Sequence, residues 1–173
     1  HFSPEDESYV ASVAGSGVVF PLGDTLYLVR SGAPDYLNDY GSEALAAIFT
    51  MNLNGSERQE LYLGSASETF LSTIAADDEN LYLVSVDTQT ENDVPVQRRC
   101  LVQVNRKTGE KKTLTELTDS AWMIGASGNY LVFHSIYAET GSETTAPAMT
   151  HEIFVYRFDT KSLSVVKSWP QEQ

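Results

Sequence analysis

The sequence predicts an all-β chain built from three copies of a four-stranded antiparallel unit, and three observations carry that expectation. A short apolar run, Leu26-Tyr27-Leu28-Val29, returns as Leu81-Tyr82-Leu83-Val84 and again as Tyr130-Leu131-Val132-Phe133. Each copy is followed by a second apolar run closed by a tight polar turn, from Ile48 to Leu61, Leu101 to Leu114 and Ile153 to Val166. The first runs also barely alternate between apolar and polar residues, so each must be covered on both faces. A period of roughly fifty residues belongs to stacked β-units.

Taken in order, the first repeat (about 17–65) offers strands at Gly17 to Phe20, Thr25 to Val29, Ile48 to Leu53 and Arg58 to Leu63. The second (66–118) offers Phe70 to Ala75, Asn80 to Val86, Arg99 to Asn105 and Lys111 to Glu116. The third (119–170) offers Ala121 to Ala126, Asn129 to Tyr137, Glu152 to Phe158 and Leu163 to Trp169. Val, Ile, Tyr, Phe and Leu fill these runs, as suits a pleated, half-buried surface. Turn residues separate them: Gly23-Asp24, Asp77-Asp78 and Ser127-Gly128 between first and second strands, and Asn54-Gly55, Lys107-Thr108-Gly109 and Asp159-Thr160-Lys161 between third and fourth. The one short helical candidate is Ser42 to Ala47. Residues 1–16 read as an extension or closing strand, with Ser8 to Val13 as its β-forming part.

Four-stranded sheets stacked face to face produce this pattern, as in the blades of a β-propeller. The phrase IFTMNLNGSERQEL resembles the I-Y-x-x-x-L-D-G-S-x-R-x-x-L phrase of propellers of the TolB-type and low-density-lipoprotein-receptor-like class. Ile48, Phe49, Leu53, Asn54, Gly55, Ser56, Arg58 and Leu61 carry the match, with Asn54 where Asp is usual. The later copies keep only the turn position, at Asn105 and Asp159, and the receptor-class Tyr-Trp-Thr-Asp signature is absent. The resemblance implies a propeller-like fold with a general binding role, and it carries over no catalytic residue. Three blades do not close a ring, so two blade faces need covering. A face of about 500 Å² of apolar surface is worth about 12 kcal/mol. The expectation is therefore part of a longer propeller, or one completed by a second copy.

Of the 173 residues, 24 are acidic and 11 basic, giving a net charge of −13 that disfavours nucleic acid and anionic membranes as partners. The imbalance is local: residues 1–97 hold 16 acidic and 2 basic side chains, residues 98–173 hold 8 and 9. Six basic residues crowd between Arg98 and Lys112, either as a docking patch or as the charges that protect a strand edge. Cys100 is the single cysteine, so no disulfide forms within the chain, and it reads as a small buried filler. No run of apolar residues is long enough to span a membrane as a helix. The chain starts without Met or a signal-peptide pattern and reads as a processed segment of an exported, cell-surface or periplasmic protein.

Function is expected on the connections between second and third strands, which share one end of the array. They run from Arg30 to Ala47, Ser85 to Cys100 and His134 to Glu152, and connections of this length are usually functional. Tyr36 and Tyr40 stand beside Asp35, Asp39 and Glu43, a grouping of aromatic rings and carboxylates suited to sugars or basic peptides. The expected ligand-binding residues are Tyr36, Asp39, Tyr40, Arg98, Arg99 and Tyr137. His134 and His151 fall nearly opposite each other if the third-repeat strands pair with Leu131 or Val132 opposite Phe154 or Val155, as an imidazole pair able to share a metal or titrate together. They lack a third ligand and read as structural histidines at a strand end, so no metal or cofactor is expected. No G-x-S-x-G, H-E-x-x-H or phosphate-cradling glycine loop is present. The sequence reading is thus a non-catalytic module that binds a protein, peptide or glycan. The alternatives are a sensor ectodomain and, behind it, a carbohydrate-active enzyme.

Overall fold

The computed structural model describes residues 17–30, 46–65, 67–118, 120–138 and 149–171. They form twelve strands: β1 (Gly17–Leu22), β2 (Thr25–Arg30), β3 (Ala47–Asn52), β4 (Gln59–Leu63), β5 (Glu68–Ala76), β6 (Asn80–Glu91), β7 (Val94–Asn105), β8 (Lys111–Leu117), β9 (Trp122–Ser127), β10 (Tyr130–Ala138), β11 (Met149–Arg157) and β12 (Ser162–Pro170). These make three four-stranded antiparallel sheets, each ordered as its strands follow in sequence. The chain is all-β and propeller-like, as its repeat implies. Each expected strand is present, within a few residues at most ends.

Two cores lie between the sheets. Between sheets one and two, Tyr27, Val29 and Ile48 meet Phe70, Leu81, Leu83, Val102 and Val104. Between sheets two and three, Tyr82, Val84 and Leu101 meet Leu131, Phe133, Phe154 and Tyr156. The unalternating runs are thus explained: in LYLV of β6, Leu81 and Leu83 serve one core while Tyr82 and Val84 serve the other. Phe133 and Phe154 stack at 5.2 Å, and Tyr82 packs on Phe158 at 4.8 Å.

The repeat extends to the irregularities. Third and fourth strands slip register between Ile48 and Phe49, between Leu101 and Val102, and between Ile153 and Phe154. Ile48, Leu101 and Ile153 are therefore structural counterparts, and so are the residues paired with them on the second strands, Val29, Val84 and His134. A bulge keeps its place because it sets the local twist of the sheet.

Turn chemistry accounts for the connections. Gly23, Gly55, Gly109 and Gly128 all have positive φ. At Gly109 the requirement is double: φ is +71°, and a Cβ would strike the Leu61 carbonyl of the neighbouring sheet.

One expected loop is a correction. Ser85 to Cys100 is not an irregular connection: β6 and β7 continue as paired strands to Glu91 and Val94. Asn92 and Asp93, at φ 51° and 64°, form the two-residue turn between them. The third connection likewise shrinks, because β10 reaches Ala138 and β11 starts at Met149. Of the short helical candidate, Ala47 belongs to β3; the remaining part, Ser8 to Val13, and the loop residues Asp35, Tyr36, Asp39, Tyr40 and Glu43 lie mostly or wholly outside the described residues.

Candidate functional site

At the end of the array where second strands hand over to third, the two seams between sheets are finished differently. In the first seam the space is filled by the protein's own polar groups. Glu68, at the start of β5, is 3 % exposed. Its Oε1 accepts hydrogen bonds from Ser85 Oγ at 2.6 Å and Lys111 Nζ at 2.7 Å, and its Oε2 accepts one from Tyr62 OH at 2.6 Å. Burial and the Glu68 carboxylate push the Tyr62 phenol above its ordinary value. Burial pulls Lys111 down, but its bonds to Glu68 and Tyr62 outweigh that and raise it. The network spans β4, β5, β6 and β8 and closes the seam.

Among the described residues, the second seam has no such network at the same level. Ser135 of β10 is the counterpart of Ser85, pairing with Glu152 as Ser85 pairs with Cys100. Ser135 is fully buried, yet its Oγ has no hydrogen-bond partner among the described residues. Arg99 of β7 belongs to the same seam, where it meets Ala121. Its Nη1 donates to the Ala121 carbonyl at 3.0 Å, and its buried Nε is also without a partner there. Two adjoining cavities lie along this seam, sharing Thr118 and Glu152. One, of about 300 Å³, has apolar walls from Leu117, Phe154, Leu163 and Val165 with Glu116 and Glu152 among its lining. The other, of about 560 Å³, is lined by Thr118, Ser120, Ile136, Tyr137 and Glu152. Tyr137 OH donates to Glu152 Oε1 at 3.4 Å.

Among the residues singled out from sequence, Tyr137 and Arg99 come to this seam, while Arg98 does not. Neighbours along a strand point to opposite faces. Arg98 turns away from Arg99 and pairs with Glu91 at 2.7 Å on the exposed hairpin. In the wider basic cluster, Arg106 and Lys111 are engaged within the fold. Arg106 donates to Tyr27 OH and to the Asp77 and Asp78 carbonyls, clamping sheet two to sheet one, and Lys111 belongs to Glu68. Burial raises the Cys100 thiol, as befits a filler. Tyr36, Asp39 and Tyr40 lie outside the described residues.

Sequence reasoning missed Glu116, Glu152 and Ser135 as site residues. The signal was present in the period of two, which puts Ser135 and Tyr137 on one face, and in the β10–β11 register, which sets Glu152 against Ser135.

His134 and His151 do meet, on the other face of sheet three, with Nε2 of His134 and Nδ1 of His151 at 3.0 Å. They are diagonal neighbours, because His134 pairs with Ile153 and His151 with Ile136. Trp122 packs edge-on against His134 at 4.6 Å and Trp169 stacks on His151 at 5.4 Å. Burial, with the neighbouring imidazole, lowers the His134 pKa. No cluster of three or more His, Cys, Asp or Glu able to hold a metal occurs among the described residues.

No protein-family model and no curated protein matches the chain, so it is not placed in the TolB-type or receptor-like class. Among solved structures it is similar to an oligogalacturonate lyase in complex with manganese, at 14 % identity and a TM-score of 0.45, over 90 % of this chain and 53 % of that one. It is also similar to an oligogalacturonate lyase from Vibrio parahaemolyticus, at 13 % identity and a TM-score of 0.43, over 85 % and 50 %. The chain spans about half the length of these structures. The expectation of a non-enzyme is corrected here: the similar structures are enzymes, and a likeness at 13–14 % identity decides this chain's activity in neither direction.

Proposed function

We propose that the chain binds a protein or peptide ligand by taking one of its lysine or arginine side chains into the open seam between sheets two and three. The observation that supports this is the lining of the smaller cavity, apolar walls with the carboxylates of Glu116 and Glu152. A long basic side chain has matching parts, an aliphatic stem that packs on Leu117, Phe154 and Leu163 and a cationic head that pairs with carboxylates. Two carboxylates against the single guanidinium of Arg99 leave the seam net negative. The overall charge of −13 adds long-range attraction for a basic partner. Ser120, Thr118 and Tyr137 supply hydroxyls for the ligand backbone in the larger cavity.

The test is titration of fluorescently labelled peptides carrying lysine or arginine, with neutral peptides and neutral oligosaccharides as controls, at low and high salt. Binding is expected for the basic peptides alone, weakening with salt and by about tenfold or more in Glu152→Gln and in Glu116→Gln, the scale of a charge-assisted contact. Equal binding by wild type and both variants would sink the reading, and so would a preference for neutral oligosaccharides.

A further inference from the structure

Sheet two is flanked on both faces by the other sheets, so its neighbours are residues of this chain. At the end where the candidate site lies, its two middle strands outrun their partners. β6 and β7 stay paired to Glu91 and Val94, whereas β5 stops beside Asp87 and β8 beside Arg99. From Thr88 to Gln97 the hairpin therefore has no strand on either outer edge among the described residues. The turn fixes which backbone groups face outward there. Across a two-residue turn Glu91 and Val94 form a hydrogen-bonded pair, and along an antiparallel ladder such pairs alternate with pairs whose N–H and C=O groups point away. Thr90 with Pro95 and Thr88 with Gln97 are the outward pairs. Two observations agree. Thr88 N–H donates to the Ser67 carbonyl at 3.0 Å, outside the hairpin. Pro95, which has no N–H, stands where the hairpin uses none. On the β7 side the outward groups are the Gln97 N–H and the Gln97 and Pro95 carbonyls, and no described residue bonds to them.

We propose that the ligand peptide adds to this edge of β7 as an antiparallel strand, continuing the line that β8 leaves at Leu117. The inference rests on the proposed capture of a lysine or arginine side chain and names how the ligand backbone is held. Alternation links the edge to the seam. Pro95, Gln97, Arg99 and Leu101 share one face of β7. Leu101 packs in the core with sheet three, and Arg99 donates to the Ala121 carbonyl. A ligand residue opposite Gln97 turns its side chain to that same face. It stands next in line after Leu117, which is opposite Arg99. Leu117 lines the smaller cavity and Thr118 lines both, so this is the place from which a basic side chain enters beside Glu116 and Glu152. The N–H of that ligand residue donates to the Gln97 carbonyl, and its carbonyl accepts from the Gln97 N–H. In such strand addition the main chain supplies affinity and alternate side chains supply specificity. A second copy adding through the same edge brings Gln97 or Pro95 to that place and offers the two carboxylates no cation. Pro95 removes the next donor, so the added strand is short and does not propagate.

The probe is a short labelled peptide with one central lysine among threonines and valines, titrated against the protein by fluorescence anisotropy. Gln97→Pro removes the outward N–H and leaves the hairpin's own ladder intact, so it should weaken binding by about tenfold or more. Gln97→Thr, which keeps the N–H, should bind as the wild type does. A second measurement needs no variant. Methylating the lysine's own amide nitrogen blocks its bond to the Gln97 carbonyl and should weaken binding to the wild type by a similar factor. Methylating the amide of the following residue, which points away from β7, should not. If Gln97→Pro loses its β signal in circular dichroism, the pair of methylated peptides decides. Equal binding by both methylated peptides, or full binding by folded Gln97→Pro, overturns the strand addition, even where Glu152→Gln loses the peptide and the side-chain reading stands. Loss in Gln97→Pro with full binding by Glu152→Gln and Glu116→Gln keeps the strand and overturns the carboxylate reading. A wild type that binds no lysine peptide overturns both.

Discussion

Replacing Glu68 by alanine should be among the most damaging single changes in the chain. Its carboxylate is 4 % exposed and holds the lysine ammonium, whose side chain is 29 % exposed, together with the Tyr62 and Ser85 hydroxyls. Removing one member of a buried pair costs about 3–5 kcal/mol, because the other charge stays behind without a partner. Lys111 reaches water partly, so the low end applies, about 3 kcal/mol. Two hydroxyls that lose a charged acceptor keep the value from falling much further. With a urea slope of about 2 kcal/mol/M, the midpoint should drop by about 1.5 M with the slope unchanged. Adding Lys111→Met to Glu68→Ala should recover part of the loss, since the stranded ammonium is then gone, with a coupling of about 1–2 kcal/mol in the double-mutant cycle. A midpoint shift below about 0.3 M for Glu68→Ala would refute the reasoning. It would mean that the carboxylate is solvated in solution and that the first seam is not closed by this network.

Three further expectations can be checked by unfolding or titration. Gly109→Ala should destabilise by well over the ~1 kcal/mol of left-handed strain, since its Cβ meets the Leu61 carbonyl, whereas Gly23→Ala, with open space around it, should cost that ~1 kcal/mol alone; equal losses in urea would contradict the contact. Asp77 is held below its ordinary value: burial opposes this, but hydrogen bonds from Tyr82 OH and from the Glu79 and Asn80 amides prevail. That stabilisation is present above about pH 4 and lost as pH falls through the folded value, so Asp77→Asn should flatten the decline of Tm below about pH 4. His134 is also lowered, so its neutral form is favoured, with His151 and Lys167 the cationic or titratable groups on its face. Stability held above about pH 6.5 should be lost as the pH falls through the folded value, and His134→Val, the residue of its counterparts, should remove that step from a Tm-against-pH series.

The strands were legible because apolar runs and turn residues recur at one spacing, and each mark has a physical cause that survives in the folded chain. The β6–β7 hairpin was not, because residues 88–97 are polar and mostly exposed, so pairing continues there without an apolar pattern to announce it. Its remaining signal was Asn92-Asp93, which tolerates positive φ at both positions. Arg98 and Arg99 read as one patch because sequence adjacency suggests proximity, whereas a strand sends them to opposite faces. Glu68 was invisible as a buried group. Its partners stand 6, 17 and 43 residues away: Ser85 and Lys111 come to it within sheet two, and the stacking of sheet one adds Tyr62.

The candidate site follows from comparing equivalent places rather than from any motif. Ser85 and Ser135 occupy the same position in successive repeats and are both buried. Ser85 is satisfied by a carboxylate from within its own seam; Ser135 is not satisfied by any described residue. A buried hydroxyl left alone costs about 1–3 kcal/mol, comparable to a sizeable part of a domain's net stability. A seam that bears this cost, holds a second donor on Arg99 without a partner among the described residues, and carries cavities bounded by Glu116, Glu152 and Tyr137 is a place where a ligand gains more than surface contact. A bound group that reaches Ser135 or Arg99 Nε supplies the partner that no described residue provides. Ser135→Ala separates the two roles: it should raise stability in the free protein by relieving the unpaired hydroxyl, and weaken any ligand that bonds to it. A loss of stability in the free protein would show instead that the hydroxyl is already satisfied and that the second seam is closed like the first.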